Sequence, residues 1–181
     1  MLAHPLQRRS ALALLCAGSA GLGACGFALR QPPSYAFRSI YLSLPPGSSL
    51  RRPLARSLEF SSQVRVLTEA ADLQTADVVL EIPSEAREKV VAGLNAAGQV
   101  REFQLRLRMR FRLRTPSGAE PIPMTELLLE REIGFAESAA LAKEEEELLI
   151  YREMRQDMLQ QILRRLAAVK NLSTPQPPTA R

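Results

Sequence analysis

Five arginines occupy alternate positions near the middle of the chain, from residue 106 to residue 114. A guanidinium group is always charged and binds phosphates or carboxylates through paired hydrogen bonds, so a row of arginines is suited to binding anions. The residues between them are apolar, and a period of two separates a charged face from an apolar face. The pattern predicts a strand over Phe103 to Arg114 with one buried face and one wet face.

Carboxylates from the preceding strand can neutralise part of this charged face. A turn at Asn95 to Gly98 sets an antiparallel register that places Glu81 opposite Arg112 and Glu85 opposite Arg108. Opposite charges that face each other across two strands contribute roughly 0.2–1 kcal/mol per pair. Two interpretations of the arginine face therefore stay open: a ladder neutralised within its own sheet, or a surface that binds external anions.

The strand that follows offers a second set of carboxylates. A loop centred near Gly118 places Glu126 opposite Arg110 and Glu130 opposite Arg106. The two registers together leave few arginines on the predicted strand without an acidic neighbour.

These registers leave one like-charge contact and two poorly compensated cations. Arg87 falls against Arg106, which is a like-charge contact. Arg101 and Arg114 lie at the strand ends, where neighbouring carboxylates are fewest. An external anion is expected to prefer such unpaired cations.

Cys25 is the second residue whose type and place suggest chemistry. It ends the string Leu22-Gly23-Ala24-Cys25, which follows Arg8-Arg9 and a short apolar run and resembles a bacterial lipobox. A lipobox implies cleavage before Cys25 and a diacylglycerol thioether on its sulfur. The apolar run is shorter than the ~20 residues that span a bilayer. Two alternatives are an ordinary cleaved signal with a chance cysteine and a twin-arginine signal.

Cleavage before Cys25 removes several reactive groups. It takes 24 of the 181 residues, among them His4, Cys16 and two of the basic residues, and lowers the formal net charge from +5 to +3. Cys25 would then be the remaining cysteine with its sulfur in the thioether, which excludes an intrachain disulfide. Cys/His zinc sites, thiol catalysis and Ser-His-Asp hydrolysis lose their residues. We therefore expect no enzyme activity, no metal, no cofactor beyond the lipid and no nucleic-acid partner.

Apolar periodicity predicts the elements that must hold the arginine strand. One helix starts at Ser48 or Ser49 and continues through Phe60, and a long helix runs from Ala140 to Val169. Pro83 indicates an edge, a bulge or a bend in its strand. The predicted strands are Tyr35 to Leu44, Gln63 to Leu67, Asp77 to Val91, Phe103 to Arg114 and Met124 to Phe135.

The long helix carries one apolar stripe. We interpret the stripe as packing against the sheet, and a coiled-coil partner is the alternative. Its members are Leu148, Tyr151, Met154, Met158, Leu159, Ile162, Leu163 and Leu166.

The predicted organisation has four parts. Residues 1–24 form a lipoprotein signal peptide, 25–34 a lipidated tether, 35–170 a single α+β domain, and 171–181 a disordered tail poor in apolar residues.

Several local strings resemble the LptE family of lipopolysaccharide-assembly lipoproteins, and together they span nearly all of the chain after Cys25. They are Ala24-Cys25-Gly26-Phe27-Ala28-Leu29-Arg30, Gly98-Gln99-Val100-Arg101-Glu102-Phe103, Ala140-Leu141-Ala142-Lys143-Glu144, Tyr151-Arg152-Glu153-Met154-Arg155-Gln156-Asp157 and Gln161-Ile162-Leu163-Arg164-Arg165-Leu166.

The resemblance implies two helices packed on one face of a mostly antiparallel four- to five-stranded sheet. It also implies an outer-membrane lipoprotein that plugs an LptD-like β-barrel, supports its assembly and binds lipopolysaccharide. Gly26, rather than Asp, follows the cysteine and is similar to outer-membrane sorting signals. The alternatives are a generic outer-membrane lipoprotein scaffold without a lipid ligand and an envelope hydrolase or transferase, for which no nucleophile motif is present.

The resemblance and the unpaired cations together give candidate lipopolysaccharide ligands: Arg101, Arg114 and Lys143. Family members can carry a basic residue before the hairpin glycine, where this chain has Ala96 and Ala97. Arg101 across the turn is our candidate substitute. Lys143 matches the family string at a helix N-terminus, where backbone N–H groups favour anions. The alternative for Lys143 is a surface ion pair with Glu147 at i+4.

Overall fold

The computed structural model describes residues 33–62 and 64–174. Their architecture is α+β, with two helices and one five-stranded sheet, as expected. Two short 3₁₀ helices, Ala70–Gln74 and Glu137–Ala139, join elements. The main elements are β1 (Ser39–Ser43), α1 (Arg51–Ser62), β2 (Arg65–Leu67), β3 (Val78–Leu94), β4 (Val100–Arg114), β5 (Ile122–Gly134) and α2 (Ala140–Ala168).

The strands follow the order β2-β1-β3-β4-β5 across the sheet. β1 is parallel to β2 and β3, and the other pairs are antiparallel, so the sheet is mixed but mostly antiparallel. β1 pairs only with Val78–Glu81 of β3. The rest of β3 therefore continues beyond β1 as a long hairpin with β4.

Both helices cover the same face of the sheet. The odd-numbered residues of β4 from Leu105 to Leu113 are fully buried there. Leu54 and Leu58 of α1 and a row of α2 side chains complete the same core. Seven members of the predicted α2 stripe are buried, but Leu148 is 60% exposed, so its assignment to the stripe is wrong. The burial of α2 begins at Tyr151.

The register between β3 and β4 changes at Pro83. Glu81 lies opposite Arg112, as predicted, but the pairing resumes at Ser84 with Arg110. Proline has no N–H to donate to a ladder, and an extra residue in one strand forms a bulge. Of the three alternatives predicted for Pro83, an edge, a bulge or a bend, the bulge is present, and the single register drawn through it is wrong.

The bulge overturns two predicted pairs. Glu85 lies opposite Met109 instead of Arg108, and Arg87 lies opposite Leu107 instead of Arg106. Beyond the bulge the odd-numbered residues of β3 therefore share the helix-covered side of the sheet, whereas before it the even-numbered residues do. Between β4 and β5 the predicted pairs Arg110 with Glu126 and Arg106 with Glu130 are both present.

The sheet has two ends that serve as landmarks. The distal end holds the hairpin turn Asn95–Gly98 and the first turns of α2. Gly98 has φ of +77° there, and its N–H donates to the Asn95 carbonyl. The proximal end holds the first residues of β1 and β3 and the last turn of α2.

A reciprocal bridge joins β1 and β3 at the proximal end. The N–H groups of Arg38 and Ser39 donate to Asp77 Oδ2, and the Asp77 N–H donates to Ser39 Oγ. The hydrogen bond from the Arg38 N–H, together with those from Ser39, lowers the pKa of Asp77 below its ordinary value despite partial burial. The carboxylate thus fixes the parallel register of two strands that are not joined by a turn.

The segment expected to be disordered begins with residues that make contacts. Leu172 packs against the core, and the N–H of Glu120 donates to Thr174 Oγ. Residues 175–181, the signal peptide and the tether up to Pro32 lie outside the described residues. In the described part of the chain, no helix has the length and apolar content that a membrane span requires.

Replacing Asp77 with Ala is expected to lower the free energy of unfolding by about 1 kcal/mol at neutral pH, because two backbone donors lose their acceptor. The folded-state pKa is depressed, so the contribution of Asp77 is complete above its ordinary pKa of 3.8 and is lost as pH falls through the lower folded value. Urea unfolding of both chains from pH 7 to pH 2.5 measures it. A difference that stays constant over this range would contradict the assignment.

Candidate functional site

The face of the sheet away from the helices carries the arginine ladder, defined as the even-numbered arginines 106 to 114 of β4. Strand alternation places all five on this side because the intervening side chains fill the core. Carboxylates from β3, from β5 and from the loop before β5 reach the ladder from both sides. The charge that the ladder presents depends on which arginines these carboxylates pair with.

The proximal part of the ladder is strongly paired. Arg112 Nε lies 2.6 Å from Glu81 Oε2, and Arg112 Nη1 lies 2.9 Å from Glu120 Oε1. Arg114 Nε lies 2.6 Å from the other Glu81 oxygen. Burial raises the pKa of Glu81, but hydrogen bonds from Arg114 and Arg112 outweigh it and leave that pKa lowered. One carboxylate is thus clamped by two guanidinium groups.

The middle of the ladder pairs less evenly than the register suggests. Arg106 Nε lies 3.0 Å from Glu130 Oε1, which is its direct neighbour. Glu126 lies opposite Arg110 but turns to Arg108, where the Nη1–Oε1 distance is 2.6 Å. Arg110 consequently has no acidic partner among the described residues. Side-chain reach, which strand pairing does not determine, decides which cation is left over.

The geometry favours the first interpretation of the arginine row for four of its five members. Their carboxylate partners lie within the same sheet, and the side chains are roughly one third exposed or less. Ion pairs of this exposure contribute about 0–1 kcal/mol each. The ladder is therefore largely neutralised within its own sheet, and Arg110 is its one member without an acidic partner among the described residues.

The predicted ligand residues do not form one group. Arg101 and Arg114 lie at opposite ends of β4, about 43 Å apart at the rise of a strand. Arg114 is also paired with Glu81, so its prediction as poorly compensated is wrong. Lys143 pairs with Glu146 at 2.7 Å instead of Glu147.

Arg101 lies at an irregularity of β4 at the distal end. The pairing passes from Glu102 directly to Val100, which leaves Arg101 as the extra residue of a bulge. Its carbonyl oxygen accepts a hydrogen bond of 2.7 Å from the Phe135 N–H, in the segment that leads into α2. Arg101 is exposed, and its side chain has no ion pair among the described residues. Lys143 follows within the first turn of α2, so these two cations share the distal end.

Two further cations follow from the Pro83 bulge and lie on the α2 side of the hairpin, with Arg87 opposite Leu107 midway along β4 and Lys89 opposite Leu105. Lys89 lies 4.5 Å from the Phe103 ring centre and 2.6 Å from Glu147 Oε2. The Arg87 guanidinium lies 5.4 Å from the ring centre of Tyr151. The sequence signal for both was Pro83, whose bulge turns these side chains towards α2.

One buried hydroxyl group fixes α2 to the hairpin at the point where the burial of the helix begins. Tyr151 Oη donates to the Glu88 carbonyl oxygen at 2.7 Å. Burial raises the pKa of Tyr151, with the Glu147 charge adding to it. The tyrosine therefore stays a neutral donor over the physiological range and holds α2 against β3.

The distal end also exposes large apolar side chains. Their exposed fractions are 75% for Leu141, 60% for Leu148, 60% for Leu94 and 52% for Val91. Cations beside exposed apolar groups are complementary to an amphiphilic anion, and the leucines of α2 also suit a protein partner.

A cavity of about 460 Å³ lies between the loop Pro45–Ser49 and the β3 residues that follow the bulge. Glu85 and Arg87 line it, and burial raises the pKa of Glu85. Among residues 33–62 and 64–174, no group of three or more His, Cys, Asp or Glu residues is placed to hold a metal ion.

The fold and the one-sided packing match solved lipoproteins. Lipoprotein B from Nitrosomonas europaea is 32% identical, with a TM-score of 0.67 over 79% of this chain and 91% of that chain. Rare lipoprotein B from Shewanella oneidensis is 23% identical, with a TM-score of 0.61 over 72% and 94%. A minor lipoprotein from Acinetobacter baumannii is 19% identical, with a TM-score of 0.60 over 79% and 99%. The last two likenesses bear on the fold alone.

These features define a small α+β lipoprotein domain of the bacterial envelope, with one face of its sheet covered by helices and the other by paired charges. Residues 37–166 match the LptE family, described as lipopolysaccharide-assembly. The chain belongs to the LptE family, as the sequence strings predict. No curated protein matches the sequence at a significant level.

Replacing Arg112 with Gln should lower the free energy of unfolding measurably, because Glu81 and Glu120 each lose a partner. The matched change Arg110→Gln should stay within about 0.5 kcal/mol of the parent. The folded-state pKa of Glu81 is depressed, so the Arg112 effect should fade as pH falls below its ordinary value of 4.5. Chemical unfolding at pH 7 and pH 3 tests this, and equal effects of the two variants at pH 7 would refute the pairing.

Proposed function

We propose that this protein is an outer-membrane lipoprotein, anchored through Cys25, that plugs an LptD-like β-barrel, supports its assembly and binds lipopolysaccharide during transport to the cell surface. Membership of the LptE family supports a role in lipopolysaccharide assembly. The proposal assigns it no catalytic step, no metal and no cofactor beyond the covalent lipid.

The composition of the distal end is the observation that supports the proposal of lipopolysaccharide binding. Lipid A combines phosphates with acyl chains, and the distal end combines cations with exposed apolar side chains. Arg101 projects from a strand bulge, a feature enriched beside functional sites. Lys143 lies in the first turn of a 29-residue helix, at the end where the helix dipole favours an anion. Arg114 is removed from the candidate ligand set because it is paired and lies at the proximal end.

The exposed leucines of α2 support a protein partner. Leu141 and Leu148 are seven residues apart and therefore lie on one side of the helix, N-terminal to Tyr151, where the burial of α2 begins. The wall of a β-barrel offers a suitable apolar and polar surface. A generic outer-membrane lipoprotein scaffold without a lipid ligand is the second candidate, because the same leucines would serve any envelope partner.

Exchanging both distal cations for acids tests lipopolysaccharide binding. The double variant Arg101→Glu with Lys143→Glu should bind purified lipopolysaccharide at least about tenfold more weakly, since one hydrogen bond to a charged group contributes about 1.5–3 kcal/mol. Its melting temperature should change little because Arg101 is exposed and Lys143 loses only a surface pair.

The matched control is Arg110→Glu with Arg152→Glu, which makes the same charge change at two exposed cations away from the distal end. It should bind lipopolysaccharide nearly as the parent does. Normal binding by the distal variant with loss in the control would move the site to the middle of the ladder.

Purification of the lipidated protein in mild detergent tests the barrel partner. Mass spectrometry should identify one dominant LptD-like β-barrel protein. Leu141→Glu with Leu148→Glu should reduce its recovery several-fold at an unchanged melting temperature, because both side chains are largely exposed. Phe60→Glu on α1, where Phe60 is 94% exposed, is the control. Recovery of the protein without a barrel would favour the scaffold alternative.

A further inference from the structure

A second cavity of about 460 Å³ lies at the proximal end, between the last turn of α2 and the start of β5. Its floor is mainly apolar and its rim is basic. It is lined by Pro121, Ile122, Arg165, Ala168, Val169, Lys170 and Asn171. Neither candidate function above uses these residues.

The rim charges of this cavity are uncompensated. Arg165 and Lys170 have no acidic partner among the described residues, and the nearby carboxylate of Glu120 is held by Arg112. The Arg165 guanidinium lies 5.7 Å from the Phe111 ring centre, which positions it over the core. The carboxyl end of a helix carries only about half a negative charge, so the two cations leave the rim positive.

A basic rim above an apolar floor is complementary to an anionic phospholipid. The phosphate binds Lys or Arg, and the first methylenes of the acyl chains meet apolar side chains. Each Lys or Arg near an anionic membrane surface contributes about 1 kcal/mol, so a two-cation site is weak in isolation. A weak site becomes effective when the protein is already tethered to the same membrane.

The first strand of the described chain, β1, starts at this same end. β1 starts beside the first residues of β3, and Val79 of β3 lies opposite Arg114, the last residue of β4. β5 starts opposite Leu113 and contributes Ile122 to the cavity. Seven residues lie between Cys25 and Pro33, and the eight residue-to-residue steps that join them span at most about 29 Å. The covalent lipid therefore keeps the proximal end near the leaflet that holds it.

We infer that the proximal cavity docks the domain onto the phospholipid leaflet that anchors Cys25, with Arg165 and Lys170 binding the phosphates of anionic phospholipid. The inference rests on the proposed anchorage at Cys25 and is independent of lipopolysaccharide binding at the distal end. Docking would orient the sheet with its distal end directed away from that leaflet surface.

The absence of tryptophan from the sequence allows a clean fluorescent reporter. In the mature Cys25→Ser chain, which lacks the lipid, Ala168→Trp places a tryptophan at the cavity, and Ala142→Trp places one at the distal end; both alanines are exposed. Phosphatidylcholine vesicles that contain phosphatidylglycerol should shift the emission of Ala168→Trp to shorter wavelength. Phosphatidylcholine alone should not, and added salt should reverse the shift.

Two results of the reporter experiment would overturn the inference. One is an unchanged Ala168→Trp spectrum with phosphatidylglycerol vesicles. The other is an equal shift in Ala142→Trp, which would show adsorption without the proposed orientation.

Removal of the rim charges tests whether Arg165 and Lys170 bind the phospholipid. In the Cys25→Ser, Ala168→Trp chain, Arg165→Gln with Lys170→Gln should weaken vesicle partitioning about 30-fold, which corresponds to about 2 kcal/mol for two cations. Arg56→Gln with Arg152→Gln removes the same charge from exposed positions elsewhere and should have little effect. If both double variants weaken partitioning equally, the loss reflects net charge alone, and this result would refute the site.

Arg165 also contacts Phe111, so melting curves accompany the titrations. If the double variant melts lower than its parent, Lys170→Gln alone replaces it, with an expected weakening of about fivefold for one cation. No weakening in that single variant would refute the site.

One comparison separates this inference from the proposed function. Arg101→Glu with Lys143→Glu should leave partitioning onto phosphatidylglycerol vesicles unchanged, whatever its effect on lipopolysaccharide binding. Tighter binding of purified lipopolysaccharide than of phosphatidylglycerol at the Ala168→Trp reporter would overturn the assignment to phospholipid.

Discussion

The structure depends on the burial of one face of β4. Five successive odd-numbered side chains from Leu105 to Leu113 are fully buried under the two helices. Each such burial contributes about 1.5–3 kcal/mol, more than any ion pair on the opposite face. Because a strand alternates strictly, burying these five forces the five arginines onto the other side. The arginine face is thus a consequence of core packing. Glutamates of the neighbouring strands neutralise most of its charge.

The α+β fold could be predicted because its signals are periodic. Alternation over Phe103 to Arg114 identifies a half-buried strand, and the apolar spacing from Tyr151 to Leu166 identifies a helix. The register of β4 with β5 also followed from a glycine-containing loop. Leu148 shows the limit of such reasoning. Its spacing fits the stripe, but the first turns of α2 extend past the strands that would cover it.

The bulge at Pro83 is the point beyond which the sequence did not predict how β3 pairs with β4. A proline within a strand predicts an irregularity. The type of irregularity and the number of residues displaced depend on the neighbouring strands. One displaced residue moved Glu85 out of the ladder and turned Arg87 and Lys89 towards α2. The partners of Arg114 and Lys143 were missed for a related reason. Side chains choose among several carboxylates within reach, and spacing along the chain does not rank them.

Cys25, by contrast, was predicted from a local string that needs no tertiary contact. The family strings singled out Arg101 and Lys143, and the structure places both at the distal end. The sequence could not show that Arg101 is the extra residue of a bulge, because that irregularity exists only in the pairing of β3 with β4. The basic cavity beside α2 was equally hidden. It joins Ile122 to Lys170, and no pattern along the chain links positions so far apart.

The length of the central hairpin sets the distance between the two ends of the domain. β4 has 15 residues and extends about 50 Å at the rise of a strand, whereas a bilayer with its headgroups is about 40–45 Å thick. The proximal cavity and the bulged Arg101 lie at opposite ends of this hairpin. A molecule held at one leaflet by its proximal end and enclosed by a barrel wall would present its distal cations at the level of the other leaflet. Shortening β3 and β4 together would change that level by about 3.3 Å for each residue removed from each strand.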